Sequence, residues 1–99
     1  MKFAVIVLMV LSMSGCGENS KIQEAVLVSL KDPDSAKFGK LTLLNEKRAC
    51  MTVNAKNTLG GYTGDQEAYL QKFQNKWEVI MFDSSLGHEQ CIKIQSKYN

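Results

Sequence analysis

Pro33 is the only proline in this 99-residue chain, and it divides the chain into two periodicities. Before it, Ile22, Ala25, Val26 and Leu30 recur at three- and four-residue spacing and share one face of a helix. Ser20-Lys21-Ile22-Gln23 reads as a capping box, a hydroxyl followed three residues on by a glutamine. Lys31 would complement the helix dipole in the last turn. Proline pushes the residue before it out of helical geometry, so the helix predicted over 20–31 stops at Asp32.

Beyond the turn Asp32-Pro33-Asp34-Ser35 the period falls from 3.6 to 2. Leu41 and Leu43 alternate with Lys40 and Thr42. Ala49, Met51, Val53 and Ala55 alternate with Arg48, Cys50, Thr52 and Asn54, the clearest strand in the chain. Asn45-Glu46-Lys47 supplies a hairpin between them. Two further strands, rich in aromatic and β-branched residues, are expected over 69–73 and 77–82, joined around Asn75. Four sequential antiparallel strands form a meander. The segment 85–98 fits a short helix with Cys91, Ile94 and Tyr98 on one side, and fits less well a strand through Ile92 and Ile94. The expected class is α+β: an N-terminal helix, a four-stranded antiparallel meander, a short C-terminal helix and one disulfide.

The N-terminus defines a compartment. Met1-Lys2 is a basic start, and 3–11 is an unbroken apolar run, FAVIVLMVL. Small residues follow, except for Met13, and then Cys16. This is the pattern of a secretory signal peptide over 1–15, and it is too short to span a bilayer. Met13-Ser14-Gly15-Cys16 resembles the lipobox of bacterial lipoproteins, with methionine where leucine is usual. That resemblance implies diacylglycerol attachment and N-acylation (palmitate) at Cys16, cleavage before it, a minimal tether over 16–19, and a single folded domain over 20–99. Gly17 replaces the aspartate that signals inner-membrane retention in that family, which implies an outer-membrane anchor facing the periplasm.

With Cys16 lipidated, Cys50 and Cys91 remain as an even pair, 41 positions apart, in an exported domain. Such a pair reads as a disulfide, worth about 4 kcal/mol in chain-entropy terms. Metal binding through His88, Cys91 and Cys50 would lack a fourth ligand, and no metal or cofactor is expected. The single histidine, His88, is expected to be solvated.

The most distinctive stretch is 53–64, in which Gly60, Gly61 and Gly64 surround Tyr62. It lacks the lysine and following helix of a phosphate-binding loop. One reading is a long hairpin loop whose glycines supply positive φ. The other is a binding loop in which Tyr62 is an aromatic anchor and Lys56 and Asn57 are polar contacts. Asp32-Pro33-Asp34-Ser35-Ala36-Lys37-Phe38, Cys50, Val53-Asn54-Ala55-Lys56-Asn57 and Gly60-Gly61-Tyr62-Thr63-Gly64 together resemble a pattern in small exported proteins of proteobacteria, their phages and plasmids. The resemblance covers roughly residues 22–73, departs from the pattern at Met51, and implies a fold and a compartment but no catalytic residue.

Twelve basic against ten acidic residues give a net charge of +2, too balanced to point to nucleic acid. No nucleophile, base and orienting group stand out together: Ser84 and Ser85 lie near His88 without a strained elbow. The expectation is therefore a non-catalytic envelope module, held to the membrane by its lipid and contacting a periplasmic or outer-membrane protein. Exclusion of a superinfecting phage or plasmid is one such role. The alternative is an inhibitor of a cell-wall enzyme such as lysozyme.

Overall fold

The computed structural model describes residues 17–98, so the expected signal peptide and the lipidation site Cys16 lie outside the described residues. Helix α1 spans Gly17–Val28 and a 3-10 turn spans Pro33–Ser35. Four strands follow: β1 Lys37–Leu43, β2 Arg48–Asn54, β3 Gln66–Phe73 and β4 Lys76–Asp83. Helix α2 covers His88–Gln95. The strands pair antiparallel in the order β1-β2-β3-β4, the meander expected from the alternation. The β3–β4 turn is a two-residue connection with Gln74 and Asn75 both at positive φ, which matches the twist of the flanking strands.

Alternation in β2 separates two faces. Ala49, Met51 and Val53 point one way and meet Leu70, Ala68 and Gln66 across the β2–β3 ladder. Ile22, Ala25 and Val26 of α1 pack on that face together with Trp77. Ile22 and Val26 are fully buried, and each such side chain contributes about 1.5–3 kcal/mol. The opposite face presents Cys50 and Thr52, paired with Tyr69 and Glu67. Helix α2 lies over this polar face, and Cys50 and Cys91 are disulfide-bonded with Cα atoms 6.1 Å apart.

Two helix boundaries differ from the sequence reading. Helix α1 already covers Gly17, the first described residue, so Ser20 is an exposed residue within it rather than its cap, and residues 17–19 are helical rather than a bare tether. The helix ends at Val28 and tightens into a turn through Ser29 N–H to Val26 O (3.0 Å) and Leu30 N–H to Leu27 O (3.2 Å), leaving Lys31 beyond it. Glu18 Oε2 accepts the Trp77 indole N–H at 2.7 Å and its Oε1 the Lys72 ammonium at 3.2 Å. These long-range bonds tie the helix ahead of Ser20 to the β3–β4 hairpin. In α2 His88, Cys91 and Gln95 face the sheet and Ile94 packs half-buried against the Cys50–Tyr69–Cys91 cluster, as expected of Cys91 and Ile94, but Tyr98 does not join them. The helix ends at Gln95, so Tyr98 leaves its register, stays exposed, and sits under the Arg48 guanidinium, 5.3 Å from the ring centre.

The Trp77 and Lys72 bonds hold the Glu18 carboxyl below the usual carboxylate range. A lowered folded-state pKa adds stability that is present above the unfolded value and fades as pH falls through the folded one. Glu18→Gln keeps an acceptor for Trp77 but loses the charge. Its melting temperature should lie below that of the wild type at neutral pH, and the two should converge on acidification. A gap that persists at low pH would refute the charge-based account.

Candidate functional site

The 56–64 loop is built from its base upward. Lys56 and Tyr62 form an isolated antiparallel bridge. Within it, Asn57 N–H donates to Gly61 O at 2.9 Å and Gly60 N–H to Asn57 O at 3.1 Å. The Asn57 side-chain oxygen accepts from the Leu59 and Gly61 N–H groups at 2.9 and 3.3 Å. Below the bridge, the Ser35 hydroxyl accepts Lys56 N–H at 2.8 Å, and the Tyr62 hydroxyl donates to Ser35 O at 3.2 Å. Ser35 ends the 3-10 turn, so the two distant sequence segments 32–35 and 56–62 are one physical unit.

The expected binding residues thus divide. Tyr62 is 42% exposed, with the Lys37 and Lys56 ammoniums 4.6 and 5.6 Å from its ring centre, close enough for cation–π attraction. Asn57 is spent on the loop's own backbone. Gly60 and Gly64 adopt positive φ (+84° and +91°), as expected of glycines here, but Gly61 does not. Leu59, which the sequence reading passed over, is 93% exposed at the tip. Its only sequence signal was an apolar residue among polar and glycine neighbours.

A second cluster lies under α2. His88 is buried rather than solvated, with 8% of its side chain exposed, and its Nδ1 bonds to Glu67 Oε2. Glu67 is 2% exposed, and its Oε1 accepts the Thr52 hydroxyl at 2.7 Å. His88 Nε2 lies 2.8 Å from Thr42 Oγ1. The order hydroxyl–imidazole–carboxylate is that of acyl-transfer sites. Here, however, both ring nitrogens are taken up by the protein, which leaves no free nitrogen for a substrate proton. Thr42 can donate to a neutral ring or accept from a charged one, so the cluster is satisfied in either state. One helical turn and one further turn along, Gln95 Nε2 donates to Ala49 O and Leu70 O, each at 3.0 Å, and its Oε1 accepts from Arg48 at 3.1 Å. His88, Cys91 and Gln95 therefore fasten one helix face to the sheet by hydrogen bonds at His88 and Gln95 and a disulfide at Cys91. The legible signal was that these residues share the spacing i, i+3, i+7 on a helix.

A cleft of about 530 Å³ opens beside this cluster, lined in part by Lys40, Thr52, Glu67, Ser85 and His88. The Ser85 hydroxyl and N–H both donate to Asp83 Oδ1, at 2.7 and 2.8 Å, and those bonds hold the Asp83 carboxyl below its usual range. Ser85 is therefore bonded away from His88. Among the described residues, the metal-ligating side chains that converge are Cys50, Glu67 and Cys91, and the disulfide removes both thiolates. Comparison with protein-family models, with curated proteins and with solved structures finds no match to this chain.

His88→Ala would leave Glu67 Oε2 buried without its hydrogen-bond partner, and should cost on the order of 1–3 kcal/mol in denaturant unfolding. In the loop, Gly60→Val should cost roughly 1–3 kcal/mol by forcing a branched side chain to positive φ, whereas Gly61→Val should stay within about 0.5 kcal/mol of wild type. Equal losses at the two glycines would contradict this assignment of backbone strain.

Proposed function

We propose that this chain is an exported cell-envelope lipoprotein, acylated at Cys16 and anchored in the outer membrane facing the periplasm. Its domain is a non-catalytic module that binds a periplasmic or outer-membrane protein through the 56–64 loop. The observation that carries this reading is the position of the loop relative to Gly17. At its start, α1 touches Lys72 and Trp77 beside the β3–β4 turn. Past its other end, Ser29 and Leu30 border Val53, Ala55 and Lys56 at the base of the loop. A helix of 12 residues, about 18 Å long, separates the two. An anchor on Cys16 would hold the Leu59–Tyr62 tip on the side turned away from the lipid.

Two further facts support the reading. The buried Cys50–Cys91 disulfide suits an oxidising compartment. Among the described residues, no helix is long and apolar enough to cross a membrane. The alternative, insertion of the same loop into the cleft of a cell-wall enzyme such as lysozyme, is favoured by how far Leu59 stands out from the fold.

The lipidated protein, used as bait in envelope extracts, should capture a partner. Leu59→Ser and Tyr62→Ala should each abolish capture while changing stability by less than about 1 kcal/mol. Wild-type capture by both variants would remove the loop from the functional account. Inhibition of lysozyme that Tyr62→Ala relieves would select the inhibitor reading. Mass spectrometry of the mature N-terminus should find acylated cysteine, and Cys16→Ser should release the protein from membranes.

A further inference from the structure

We infer that the end of the domain opposite the glycine loop is a docking surface for an anionic membrane. This rests on the lipid-anchoring reading above. Cys16 directly precedes Gly17, the first residue of α1, so a lipid on Cys16 brings the helix start and everything beside it to the bilayer.

The residues beside the helix start form one continuous surface. Glu18 shares a shallow cleft with Asn45, Lys47, Lys72, Gln74 and Asn75, which brings the helix and both hairpin turns together. Lys72 N–H donates to Lys47 O at 2.8 Å and ties the two hairpins to each other. Tyr98 joins the surface through its contact with Arg48.

The chemistry of that end matches lipid headgroups. Lys21, Lys47, Arg48, Lys72, Lys76 and Lys97 stand against Glu18, Glu24, Glu46 and Glu78, an excess of two positive charges. At the loop end, Lys31, Lys37 and Lys56 are interleaved with Asp32, Asp34 and Asp65, with no excess of either sign. Basic residues within a Debye length of an anionic leaflet are drawn to it. Phe73 and Tyr98, 58% and 57% exposed, flank the basic groups with rings of the kind enriched at membrane interfaces. Leu43 adds a third exposed apolar side chain. Phe73 is held at the rim by its pairing with Lys76, which closes the β3–β4 hairpin. Lysine stems can lie along such apolar groups while their ammoniums reach phosphate.

The test uses the lipidated protein in nanodiscs of phosphatidylcholine and phosphatidylglycerol in a three-to-one ratio, with a headgroup nitroxide and backbone amide NMR. The amides of Lys47, Gln74, Asn75, Lys76 and Tyr98 should lose intensity, and those of Asn57, Leu59 and Tyr62 should keep it. Combining Lys47→Glu with Lys76→Glu should erase the contrast without altering the amide pattern of the sheet, and pure phosphatidylcholine should weaken it. Broadening at the loop end, equal broadening at both ends, or indifference to the charge reversal would each overturn the proposal. An acylated protein that gives one of those results would overturn the orientation alone. A chain without acyl mass on Cys16 that does not float with vesicles would overturn the anchoring reading beneath it.

Discussion

The attachment of α2 to the polar face of the sheet is the constraint on which the rest of this structure depends. A four-stranded meander has two faces, and α1 covers only one of them. The second face carries Thr52 and Glu67, residues that an apolar helix could not cover without stranding buried polar atoms, and Tyr69, whose buried hydroxyl has no hydrogen-bond partner among the described residues. The sequence meets that face with a helix whose inward residues are themselves polar or covalently bonded. Glu67 receives His88 and Thr52, Cys50 receives Cys91, and two strand carbonyls receive Gln95. The Glu67 and Gln95 links satisfy polar groups that burial would otherwise penalise. The disulfide limits how far the chain can part even in the unfolded state, which matters for a domain too small to depend on its core alone.

The elements that repeat a simple rule were legible in the sequence. The period change at Pro33, the alternation through β2 and the even pair Cys50 and Cys91 lead directly to the helix, the meander and the disulfide. What escaped were long-range polar contacts that leave no periodic trace. The part of α1 ahead of Ser20 is tied to Trp77 and Lys72, more than fifty positions away, so the local capping box at Ser20 did not mark the helix start. His88 looked isolated because Thr42 and Glu67, which its ring bonds, and Thr52, which bonds Glu67, come from three different strands. In the loop, composition announced that left-handed backbone was needed but not which of two adjacent glycines supplies it. Only the bridge between Lys56 and Tyr62 places it at Gly60.

Chemistry at the buried cluster is limited by its own completeness. Every donor and acceptor of the His88 ring has a partner within the protein, and the neighbouring cysteines are bonded to each other. An arrangement of this kind fixes a helix in place. The two ends of the sheet differ in character: one carries the exposed Leu59 among glycines, the other basic and aromatic groups.

The hydrogen bonds from Ser35 into the glycine loop have a consequence for how this domain can change over time. They grip the base of the loop, at Lys56 and Tyr62, and the Asn57 side chain shapes the bend above it. Beyond these points Thr58 and Leu59 project with no side-chain role in holding the loop's shape. Replacing them redraws the outline offered to the surroundings and leaves the scaffold untouched. Replacing Ser35 or Asn57, one of which lies far from the tip, alters the posture of the whole projection. Diversity should therefore accumulate at positions 58 and 59, and constancy at a serine more than twenty positions upstream.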